Sequence, residues 1–142
     1  MREIRFRGKT LDGLKWVYGD LIQENSGRVV IRTNLKTWGK NSDVAPYGES
    51  VDVKPDTVGQ YTGLNDRNGK EVYENDILRV YDRKTYFNII VSWSKEAVAF
   101  MACYCDKNQS PLSWFSNLLP NGYEIEVLGN IHDNPELLEY EG

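Results

Sequence analysis

The stretch "TVGQYTGLNDRNGKEVYENDIL", residues 57–78, holds three glycines and a cluster of Asn and Asp between apolar runs. Asn68-Gly69 lies between Tyr61–Leu64 and Val72-Tyr73. Asn and Gly tolerate the positive φ of a tight two-residue turn, so this is a strong hairpin signal. Gly59 and Gly63 permit close backbone approach or a bulge. Asp76 precedes the next apolar run, where its carboxylate can accept turn amides. Local physics therefore reads Gly59, Gly63, Asn68, Gly69 and Asp76 as structural turn residues and not as a catalytic loop.

On either side of it the same grammar recurs. Ile4 and Phe6 alternate with Arg5 and Arg7, which predicts a half-buried strand with the arginines outward. Asp12-Gly13 and Asn25-Ser26-Gly27 are turns flanking strands at Trp16–Ile22 and Arg28–Thr33. Residues 34–56 read as a long loop with one short strand near Val51–Val53, before Pro55. Asp76–Tyr81 is a strand, and Phe87, Ile89, Val91 and Trp93 alternate along another. "AVAFMACYC", 97–105, is apolar on both faces, as in a central covered strand. Ser110-Pro111 opens a short helix through Leu119, Asn121-Gly122 is a turn, and Tyr123, Ile125 and Val127 alternate as a strand. Asn134-Pro135-Glu136 starts a short terminal helix. A 56-residue offset places Gly13 on Gly69 and Asp20 on Asp76, a weak internal repeat of two hairpins. Many short strands with tight turns predict a mainly β protein, a small antiparallel barrel with one or two short helices.

The 142 residues allow one domain or two small halves sharing a core, and 9 Tyr and 4 Trp favour packed strands. We divide them into an N-terminal hairpin region, 1–56, and a barrel region, 57–142, within one compact unit, 1–142. The net charge of −4 speaks against a generic nucleic-acid glove. No apolar run approaches a membrane span, and the start reads as a strand and not a signal peptide, so the cytoplasm is expected. Residues 1–40 carry nine Lys or Arg against four acids, whereas 121–142 carry six acids and no Lys or Arg. We expect this asymmetry to be neutralised within the molecule or across a homo-oligomer.

Catalytic constellations are missing. Gly8-Lys9-Thr10 ends like a phosphate loop, but Glu3 stands where its first glycine belongs. Cys103, Cys105 and the single His132 are too few for a convincing zinc site. His132 beside Asp133 has no nucleophile motif near it in sequence. No catalytic, cofactor-binding or metal residue is assigned. One patch has functional character: Arg79, Tyr81 and Arg83 alternate on a strand followed by Lys84, as Arg5 and Arg7 do near the start. Such strands can hold a nucleic-acid backbone while Tyr stacks on bases. The competing structural reading is an edge protected by charge.

Three blocks in order, "WVYGDL" (16–21), "TVGQYTGLNDRNGKEVYENDI" (57–77) and "LGNIHDNPELL" (128–138), resemble the YopX family of small phage- and prophage-encoded proteins. The blocks span nearly the whole chain. Asn75 stands where that family usually has Gly, and Asn also tolerates left-handed geometry. The resemblance implies an SH3-like barrel with hairpin additions, and it implies neither an activity nor catalytic residues. The expectation is a non-enzymatic phage accessory protein of the host cytoplasm. It would bind a phage or host protein or its own copies, without a cofactor. The alternative is a nucleic-acid-binding small barrel.

Overall fold

The computed structural model describes residues 3–33, 49–106, 108–109, 111–115 and 124–138. The chain divides into two compact units, Met1–Tyr61 and Thr62–Gly142.

The first unit is an antiparallel meander of β1 (Phe6–Lys9), β2 (Trp16–Gln23), β3 (Val29–Thr33) and β4 (Ser50–Asp52). The first residues of β5 (Gly59–Asn65) pair with β1, Arg7 facing Gly59. The strand order is β4-β3-β2-β1-β5. Two of its hairpins share one loop design. Gly13 N–H donates to Thr10 O, and Gly27 N–H donates to Glu24 O, each glycine having positive φ. This is a type I turn completed by a left-handed residue, whose twist suits antiparallel strands. A 3-10 turn at Pro55–Thr57 anchors the approach to β5: Thr57 Oγ1 accepts Lys9 N–H at 2.9 Å. Val30, Ile31, Val53 and Tyr61 are buried.

The second unit contains the rest of β5, then β6 (Glu71–Tyr73), β7 (Asp76–Asp82), β8 (Thr85–Ser94), β9 (Ala99–Tyr104), β10 (Pro111–Trp114) and β11 (Glu124–Asn130). Five strands form a sheet in the order β10-β9-β8-β7-β11. One face packs Leu78, Val80, Ile89, Val91, Ala102 and Ile125 with Val72 and Phe115. The other packs Ile77, Ile90 and Cys105 with Leu128, Ile131 and Leu137. Central β8 is thus covered on both sides, and Ile89, Ile90 and Val91 are all 0% exposed. Each such side chain stabilises the fold by about 1.5–3 kcal/mol on burial.

Several expectations need correction. The described residues form open sheets and not a closed barrel, because β11 and β10 are not paired with each other. The free side of β11 is met by the β5–β6 loop, where Arg67 N–H donates to Ile125 O at 3.0 Å. On the opposite edge, β10 begins at Pro111, which has no N–H, and its register shifts before Ser113. Pro111 therefore opens an edge strand over Pro111–Trp114, not the helix expected there; residues 116–119 of that helix, and the turn at Asn121-Gly122, lie outside the described residues. At the N-terminus the facing is reversed. Arg7 is 6% exposed and Ile4 54%. The Arg7 guanidinium lies 4.6 Å over the Trp16 ring, which covers it, and Ile4 precedes the strand. β9 starts at Ala99, since Lys95–Val98 form the β8–β9 turn and Val98 takes φ 52. The internal repeat is not a structural equivalence, because Asp76 is 1% exposed and Asp20 is exposed. The short strand before Pro55 is β4, and the terminal helix is a single 3-10 turn at Pro135–Leu137.

Candidate functional site

The β5–β6 loop is where the sequence is most specified. Asp66 N–H donates to Lys70 O at 2.7 Å, and Gly69 N–H to Asp66 O at 2.9 Å. Three residues, Arg67-Asn68-Gly69, form the loop, and of these only Gly69 has positive φ, 83°. It is therefore the three-residue relative of the expected two-residue Asn-Gly turn. Its anchor, missed by sequence reasoning, is Asp66. This carboxylate is 7% exposed. Its Oδ1 accepts Asn68 N–H at 2.9 Å and Lys70 N–H at 2.8 Å, and its Oδ2 accepts Val127 N–H at 3.0 Å. Burial pushes the Asp66 carboxyl up, but the three backbone donors and Lys70 outweigh it and hold it below the usual range. The loop is thus a latch on the edge of β11.

Asp76 and Asn75 build the next turn. Asp76 Oδ2 accepts Tyr73 N–H at 2.8 Å. Asn75 takes φ 72, accepts Ile131 N–H through its carbonyl, and donates its own N–H to Val91 O at 2.7 Å. Asp76→Ala is expected to lower stability by about 1–3 kcal/mol, the scale for removing a buried charged acceptor. The check is thermal melting, and an unchanged midpoint together with lost partner binding would make Asp76 functional instead. Of the remaining turn residues, Gly59 is buried in β5, and Gly63 has φ 89 with open space beside it.

The basic and aromatic residues of β7 are largely engaged with one another and with acids. Arg79 lies 4.2 Å over the Tyr86 ring and reaches Asn88 Oδ1 at 3.5 Å. Tyr81 donates its hydroxyl to Glu126 at 2.9 Å, beneath the Arg67 guanidinium at 4.3 Å. Arg67 also pairs with Glu126 at 2.8 Å and Glu124 at 3.6 Å. The acids of the C-terminal stretch at Glu124 and Glu126 are therefore matched within their own unit. Arg83 and Lys84 differ: they form the exposed β7–β8 turn, and no described carboxylate pairs with either. Arg5 and Arg7 belong to the first unit, where Arg5 pairs with Glu3 and Arg7 is buried at Trp16.

The remaining polar residues have structural partners. Asn130 Oδ1 accepts the N–H groups of His132 and Asp133, both at 2.9 Å, and Asn134 Oδ1 accepts Asn130 N–H at 3.2 Å. That network is why "GNIHDN" folds as it does. Burial pushes the Cys103 thiol up, and Cys105 Sγ lies 3.4 Å from Leu137 O. Among the described residues no three His, Cys, Asp or Glu side chains are grouped to hold a metal.

A cleft of about 520 Å³ opens at the end of the five-stranded sheet, lined by Tyr86, Phe87, Asn88, Tyr104, Cys105, Asp106 and Leu112. It exists because β8 outruns β9: their register ends at Ile89–Tyr104, whereas β8 begins at Thr85. Tyr86, Tyr104 and Leu112 at its rim are 56%, 49% and 41% exposed. No periodic signal in the sequence points to it.

The architecture defines a small all-antiparallel β protein whose most specified residues serve its turns. The match to the family described as YopX protein covers residues 5–139, and the chain belongs to the YopX family. Protein yopX from Bacillus subtilis, a solved structure, superposes with a TM-score of 0.54 at 21% identity over 95% of this chain and 98% of its own. Protein EF1440 from Enterococcus faecalis gives 0.53 at 22% identity over 98% and 100%. Both likenesses concern the fold. No curated protein matches the chain.

Proposed function

We propose that the chain is a non-enzymatic accessory protein of a phage or prophage that works in the host cytoplasm by binding a protein partner or its own copies. The observation that supports this is the contrast between its polar and apolar surface groups. Several charged residues of the second unit, among them Asp66, Arg67, Arg79 and Glu126, are engaged in holding strands and loops. Beside exposed charged turns such as Arg83-Lys84 and Lys95-Glu96, that unit also leaves apolar and aromatic side chains to solvent: Tyr86, Trp93, Val98, Tyr104 and Leu112, between 41% and 72% exposed. Rings at a surface supply contact area at low entropic cost and recur at the centre of protein interfaces. No helix among the described residues is long and apolar enough to cross a membrane.

Self-association is the form tested most simply. Light scattering at micromolar concentration is expected to give a mass above 16.4 kDa, the mass of one chain. A monomeric mass in low salt, with no protein captured from induced cells by the tagged chain, would overturn the reading. The other reading, a nucleic-acid-binding strand face, has less support in its broad form, because Arg79 and Tyr81 are tied to Tyr86, Asn88, Arg67 and Glu126.

A further inference from the structure

The geometry points to the cleft at the β8–β9 junction as a site for one nucleobase, with its phosphate on the adjoining Arg83-Lys84 turn. Three features of the cleft and the turn beside it carry this. First, Tyr86 and Tyr104 present half-exposed rings at the rim, with Phe87 and Leu112 beside them. Tyr86 is held by Arg79 over its ring and by Tyr81 tilted against it at 6.3 Å, so Tyr104 is the ring offered for stacking. Base stacking on such rings is insensitive to which base is present. Second, the polar groups suit the edge of a base. Asn88 offers amide hydrogens. Asp106 Oδ1 accepts the N–H groups of Asn108 and Gln109, at 2.9 and 2.8 Å, and among the described residues none donates to its Oδ2. A carboxylate acceptor fits the exocyclic amine of cytosine or adenine and not the carbonyl of thymine. Third, Lys84 stands in the turn that opens β8, two residues before Tyr86, and two residues of chain span at most about 7 Å, close to the span from a base to its own phosphate.

The volume, about 520 Å³, lies in the range of small-ligand sites. Among the described residues no Lys, Arg or His lines the cleft, which speaks for a base and not an anion inside it. The cations stand outside, at the turn. A site one base wide and gripping one or two phosphates needs no net positive protein, so the charge of −4 is compatible with it.

The experiment is fluorescence anisotropy with labelled oligonucleotides of about ten nucleotides, cytosine, adenine, thymine or abasic, at low and moderate salt. Cytosine and adenine strands are expected to bind saturably, thymine more weakly and abasic strands least. Tyr104→Ala should weaken binding about tenfold while leaving the melting temperature near wild type, since the ring is half exposed. Asp106→Asn should remove the preference for amine-bearing bases. Arg83→Ala with Lys84→Ala should lower the salt slope by about 0.7 for each phosphate that the turn no longer neutralises. Titration with CMP separates the two sources of the chemistry. Equal affinity for CMP and the strand identifies a free nucleotide as occupant, and tighter binding of the strand identifies single-stranded nucleic acid. Equal binding of abasic and base-bearing strands, unchanged binding in Tyr104→Ala, or no saturable binding of any probe at low salt would each overturn the proposal.

Discussion

Asp66→Ala is expected to lower the unfolding free energy by about 3 kcal/mol or more, because three backbone donors lose one charged acceptor and such bonds contribute roughly 1.5–3 kcal/mol each without being additive. Asn68 and Lys70 N–H groups can turn to water. Val127 N–H, on a part-buried sheet edge 61 residues away, has less recourse. Asn at position 66 is no rescue, since its amide hydrogens would meet the N–H of either the loop or β11. A pH dependence follows from the depressed Asp66 pKa. A carboxyl lowered on folding stabilises fully above its unfolded value, about 3.9, and that contribution is lost as pH falls through the lower folded value. Urea titrations on the acid side should therefore show a steep loss in wild type and a shallower one in Asp66→Ala. Equal slopes would mean that Asp66 carries no special charge.

Gly19→Ala is the second large effect. A Cβ at Gly19 would stand 2.0 Å from the backbone oxygen of Arg32, 2.8 Å from its carbonyl carbon and 3.0 Å from Thr33 Cα. The neighbour cannot rotate away, because it is the main chain of β3, paired to β2 at Gly19–Thr33 and Asp20–Arg32. The strands must part, at a cost of about 3–5 kcal/mol, the upper range for a single substitution. Gly63→Ala is the control: nothing lies within 4 Å of its added carbon. Its left-handed φ alone should cost about 1–2 kcal/mol. Comparable urea midpoints for the two variants would contradict the close approach at β2–β3.

The turns are legible in the sequence because their chemistry is local. Gly13, Gly27 and Gly69 all take the positive φ their positions imply, and Asn75 takes it without being glycine. The alternation in β8 and β11 is legible because one face of each is continuously apolar, although in β8 Ile90 is buried on the other face as well. Arg7 misleads because a charged residue on a strand usually points to water, and the ring that covers it, Trp16, comes from the facing strand. Pro111 misleads because Ser-Pro opens helices and edge strands alike. Asp66 escapes notice for a different reason. Asp at the first position of a type I turn is a recognisable signal, but its bond to Val127 depends on tertiary placement. The cleft is of the same kind, since it arises from the unequal lengths of two strands.

The stretch 57–78 holds, on these grounds, a structural latch on the edge of β11. Native-state hydrogen exchange of the Val127 amide, in wild type and in Asp66→Ala, tests it most directly. The latch predicts a Val127 amide that is protected in wild type although its strand lies at the sheet edge. It also predicts protection that falls about a hundredfold or more in Asp66→Ala, while Ile90 in central β8 changes only with global stability. A Val127 amide that exchanges freely in wild type, or equally in both proteins, would contradict it.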